Sequence, residues 1–78
     1  MQLNYVMENY NIEDIVDIEN FLTARSIEFQ SLSNKIRIYF EDSGQVDVTF
    51  DKKICLTLNN KNIFCKDKYE VMKIINKL

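Results

Sequence analysis

Histidine, tryptophan and proline are missing from this chain, and glycine and alanine occur once each, as Gly44 and Ala24. Without histidine the usual proton carrier near neutral pH is gone. Ser-His and Cys-His nucleophile pairs and imidazole metal sites go with it. One glycine cannot build a Gly-rich phosphate loop. No apolar run approaches the roughly 20 residues that cross a bilayer. The opening residues, Met1 to Tyr5, lack the basic stretch and apolar core of a secretion signal, so a cytoplasmic protein is expected. Cys55 and Cys65 are ten positions apart, a spacing that suits neither a C-x-x-C redox pair nor a zinc site. No enzyme activity, metal or cofactor is expected.

What is present is ordinary globular chemistry. The 78 residues are 46% hydrophobic and 28% charged, enough for one small domain. Such a chain buries only about 60–65% of its unfolded surface, so each large apolar side chain counts. Eight lysines stand against two arginines, with nine asparagines and ten isoleucines. That bias suits an AT-rich coding sequence of the kind found in low-GC bacteria, their phages and plasmids. The net charge of −2 conceals a gradient: residues 1–24 carry −5, residues 25–50 carry −1 and residues 51–78 carry +4. Opposed charge of this kind bears on partners rather than on fold.

Two periodicities define the elements. Ile12, Ile15, Ile18 and Leu22, joined by Val16, recur at three- and four-residue spacing and predict a helix from Ile12 to Arg25. Asn11 is a suitable N-cap, and Glu13, Asp14 and Asp17 sit where the helix dipole favours anions. The period then changes to two. Ile27 and Phe29, then Ile36, Ile38 and Phe40, then Val46, Val48 and Phe50, then Ile54, Leu56 and Leu58 alternate with polar residues, as in antiparallel strands with one wet face.

The turns support a meander. Ser33-Asn34 pairs Phe29 with Ile38, and Asp51-Lys52-Lys53 pairs Phe50 with Ile54. Asp42-Ser43-Gly44, taken as the loop, pairs Phe40 with Val46 and Ile38 with Val48. A last strand, Asn62 to Cys65, follows the polar turn Asn59-Asn60-Lys61. An even-length loop there puts the two cysteines on opposite faces, and an odd-length loop puts them opposite one another. Asp67-Lys68-Tyr69-Glu70 reads as a capping box opening a second helix with Val71, Ile74, Ile75 and Leu78 on its apolar side. Residues 1–10 read either as an edge strand or as a loose tail. The expected fold is a single α+β domain over residues 1–78. It is a two-layer sandwich in which a four- to five-stranded antiparallel meander carries the N- and C-terminal helices on one face.

Three surfaces are candidates for function. Glu13, Asp14, Asp17 and Glu19 form an acidic helix face suited to a basic groove on a larger host protein, of the sort made for nucleic acid. Arg37 and Tyr39 on the open sheet face are the residue types that anchor protein interfaces. The lysines of the last third offer phosphate contacts, and thus an alternative reading as a small nucleic-acid-binding or transcription-linked factor. Size, acidity and composition favour a protein-binding module. The concrete version is a phage or mobile-element inhibitor of a host nucleic-acid-handling or defence protein, of the anti-CRISPR type, working as a monomer or homodimer.

Overall fold

A computed structural model describes residues 12–78. A first helix, α1 (Ile12–Ala24), is followed by β1 (Glu28–Leu32), β2 (Lys35–Phe40), β3 (Gly44–Phe50), β4 (Ile54–Leu58) and β5 (Lys61–Cys65), and α2 (Lys68–Lys77) closes the order. The five strands form one antiparallel sheet in the order β1-β2-β3-β4-β5, so every strand pairs with its neighbour in the chain. Both helices lie on one face. The expected Asn11 cap and the expectation for residues 1–10 fall outside the described residues.

The alternation of the sequence becomes the core. Ile36, Ile38, Val46, Val48, Phe50, Ile54 and Leu56 are buried beneath Ile18 and Leu22 of α1 and Val71 and Ile75 of α2. Phe29, Phe40 and Leu58 pack at the margin of that cluster. No polar or charged side chain is buried among the described residues. Each strand therefore gives one face to the core and one to water, as a one-sided sheet requires.

Two expected registers hold. Phe29 faces Ile38 across β1 and β2, and Phe50 faces Ile54 across β3 and β4. The register between β2 and β3 differs: Phe40 faces Gly44, Ile38 faces Val46 and Ile36 faces Val48. The loop is thus Glu41-Asp42-Ser43, and Gly44 opens the strand instead of ending the loop. Its φ of 81° makes the left-handed bend inside the ladder. The shift is two residues, so every side chain keeps its face and alternation alone cannot detect it.

The helix ends explain themselves chemically. At the C-terminus of α1, Ser26 takes a left-handed φ of 58°. The Ser26 amide donates to the Thr23 carbonyl at 3.0 Å and the Ile27 amide to the Leu22 carbonyl at 3.0 Å, which is a Schellman closure made without glycine. At α2 the Asp67 carboxylate accepts from the Glu70 amide at 3.1 Å, as a cap should. Glu70 returns the favour one residue early, accepting from the Lys66 amide at 2.8 Å. Ile12 and Val16, placed on the apolar stripe by spacing, are 76% and 42% exposed. The buried stripe of α1 is narrower and runs through Ile18 and Leu22.

Candidate interaction surfaces

The four acids of α1 are not one open row. Asp14 and Asp17, three positions apart and so one helical turn, both reach Lys68 in the first turn of α2. The Asp14 carboxylate lies 3.5 Å from the Lys68 ammonium, and Asp17 accepts a hydrogen bond from it. That hydrogen bond raises the Lys68 pKa above the ordinary lysine value, against a desolvation that lowers it. Glu19 accepts from the Ser31 hydroxyl of β1. Glu13 is exposed. The acidic face is therefore partly compensated within the molecule. A readable signal existed in Lys68 itself: a cation at the positive end of a helix is unfavourable unless carboxylates stand near it.

The open face of the sheet is a grid fixed by the registers. One row across the strands holds Gln30, Arg37, Asp47, Thr57 and Asn62, and the next holds Leu32, Lys35, Thr49, Cys55 and Phe64. Arg37 donates from Nε to Asp47 at 3.1 Å, and the Lys35 ammonium stands 3.7 Å from the same carboxylate. Hydrogen bonding to Asp47, helped by its charge, raises the Arg37 pKa. Tyr39 donates its hydroxyl to Gln30 Oε1 at 3.3 Å, and Thr57 donates to Asn62 Oδ1 at 2.8 Å. Arg37 and Tyr39 are thus tied to neighbours in a polar network. Tyr39 and Phe64 sit on β2 and β5 in different rows, so they form no joint aromatic anchor.

Two of the exposed large apolar side chains stand next to one another on β5. Its turn is the two residues Asn59-Asn60, with φ of 53° and 66°, and Lys61 already belongs to the strand opposite Leu58. Asparagine tolerates this left-handed pair, which suits the twist of a hairpin. The even loop puts Cys55 opposite Phe64 and Ile54 opposite Cys65, so the cysteines point to opposite faces of the sheet. Both thiols are free. Phe64 is 65% exposed on the open side and Ile63 38% exposed on the helix side. Ile63, Phe64, Glu70, Lys73, Ile74 and Lys77 line a groove of about 370 Å³ between this strand and α2.

The lysines of the last third divide between the ends of the sheet. Lys52 and Lys53 occupy the β3–β4 turn, beside the end of β5 that leads to Lys66, because Ile54 pairs with Cys65. Lys61 lies at the other end. Lys68 is held by the α1 acids. Among the described residues no helix is long and apolar enough to cross a membrane. No family model, no curated protein and no solved structure matches this chain.

Proposed function

We propose that the chain is a non-catalytic protein-binding module whose contact centres on β5 and its margin with α2. The observation that carries this reading is the pair Ile63 and Phe64, two large apolar side chains exposed on opposite sides of one edge strand. An edge strand ordinarily avoids such residues, because they invite pairing with another chain. The concrete version, a phage or mobile-element inhibitor of a host nucleic-acid-handling or defence protein, rests on size, acidity and AT-rich composition alone. The α1 acids are a second contact surface in that version. Of the four, Glu13 is the one to reverse, because its substitution leaves the contacts to Lys68 and Ser31 intact.

Affinity capture from nuclease-treated lysate of the natural host tests the reading. A protein retained by the wild type is expected to be lost on Phe64→Asp, and to be retained more weakly on Glu13→Lys if the acids contribute. Recovery of nucleic acid before nuclease treatment, with affinity falling steeply as salt rises, assigns the lysines instead and overturns the proposal. Equal recovery with Phe64→Asp overturns the choice of surface.

A further inference from the structure

We infer that the outer edge of β5 accepts an extended, acidic segment of a partner protein as a sixth strand, with Phe64 on one side of the incoming chain and the Ile63–Ile74 groove on the other. This rests on the protein-binding reading and names the element and the chemistry of its partner.

Hairpin geometry gives the backbone argument. A two-residue turn makes its flanking residues, here Leu58 and Lys61, a hydrogen-bonded pair, and such pairs then alternate along the ladder. Lys61, Ile63 and Cys65 accordingly turn their amides and carbonyls toward β4. Asn62 and Phe64 turn theirs outward, where β5 has no further strand. The next outward amide, that of Lys66, donates to Glu70 and closes the row. The edge thus offers the groups of Asn62 and Phe64, two residues apart, the spacing with which an added strand bonds.

Side chains specify the guest. A residue placed opposite Ile63 projects to the helix side, into the groove floored by Ile63 and Ile74. Its neighbours on either side project to the open face, beside Phe64. Around these positions stand Lys61 and Lys66 on the strand and its extension, Lys73 and Lys77 on the rim, and Lys53, whose ammonium is 5.6 Å from the Phe64 ring centre. The nearby carboxylates, Asp67 and Glu70, the latter in the groove lining, are two against these five lysines. The margin is therefore positive. A second copy would set lysine against lysine, whereas an acidic strand meets opposite charge. The other edge, β1, differs: Phe29 packs against the core and Ser31 bonds to Glu19.

The test is fluorescence anisotropy with a blocked, labelled nine-residue peptide of alternating valine and glutamate, titrated with the whole chain at low salt. Binding is expected at least tenfold tighter than for the valine–lysine counterpart, and N-methylation of alternate peptide amides is expected to abolish it. Lys53→Glu, beside the Phe64 ring on the side to which the peptide's glutamates project, is expected to weaken the acidic peptide by about threefold. In hydrogen exchange, the Asn62 and Phe64 amides are expected to exchange quickly in the isolated chain and to slow in the complex. Equal binding of both peptides, indifference to N-methylation, or amides already protected in the isolated chain overturns the inference. If the peptides fail while a captured protein is still lost on Phe64→Asp, strand addition is wrong and the protein-binding reading stands. If capture fails as well, both fall.

Discussion

Phe50→Ala is expected to lower the unfolding free energy by about 3–5 kcal/mol, the range for deleting a packed aromatic side chain. Phe50 is 1% exposed and is the largest fully buried side chain in the core. It closes β3 in a core-side row with Ile54 and Cys65, and its amide donates to the Asn34 carbonyl at 2.7 Å. The backbone around the site is therefore held from two directions, and it cannot easily collapse into the space that alanine would leave. For a domain of this size the total stability is about 4–12 kcal/mol, so the loss is a large share of it. Urea unfolding followed by far-UV circular dichroism is the measurement, since the chain has no tryptophan. Phe64→Ala is the internal comparison: with its ring in solvent, it should change stability by less than about 0.5 kcal/mol. A similar loss for both substitutions would contradict the placement of the core.

The second large effect is alkaline. Burial, with added repulsion from Glu70, Cys55 and Asp67, pushes the Cys65 thiol from an ordinary value of 9.0 up to about 11. The folded state then holds that proton more tightly than the unfolded chain does. The corresponding stabilisation is complete below pH 9 and disappears as pH rises through 11. At 1.36 kcal/mol per unit it amounts to about 2–3 kcal/mol. Urea midpoints at intervals from pH 8 to 11 should fall more steeply for the wild type than for Cys65→Ala, which removes this titration. Parallel curves would show that Cys65 is not sequestered. The same burial predicts that Ellman's reagent reaches Cys55 well before Cys65 in the folded protein, and no internal disulfide joins groups on opposite faces of the sheet.

Much of the architecture was legible because several signals agreed. Between Ile36 and Leu58 the even positions carry the apolar side chains, and turn residues fall where the alternation pauses. Capping of α2 was readable from Asp67 and Glu70. What escaped was anything that leaves face and period unchanged. A two-residue slip between β2 and β3 preserves every side chain's orientation, so the alternation cannot distinguish the two registers. The end of α1 was legible to within one residue, but not its closure, because Ser26 adopts a conformation usually signalled by glycine. The candidate acids were identified by type and spacing, but their partners were not. Lys68 lies 51 positions from Asp17, and pairing over that separation is written in tertiary packing rather than in local pattern. Likewise, Phe64 was visible as an aromatic residue, while its outward aspect depended on whether the last loop was odd or even.

Because each strand bonds to the one before it, all ladder contacts can form by successive short closures, each with a small entropic penalty. The contact between α1 and α2 is of another kind, since it joins the two ends of the described chain across the sheet they share. In topological terms the hairpins are a ribbon and Asp17 with Lys68 is its clasp, a tie between distant points of the chain laid over the apolar contacts of Ile18, Leu22, Val71 and Ile75 that hold both helices to the sheet.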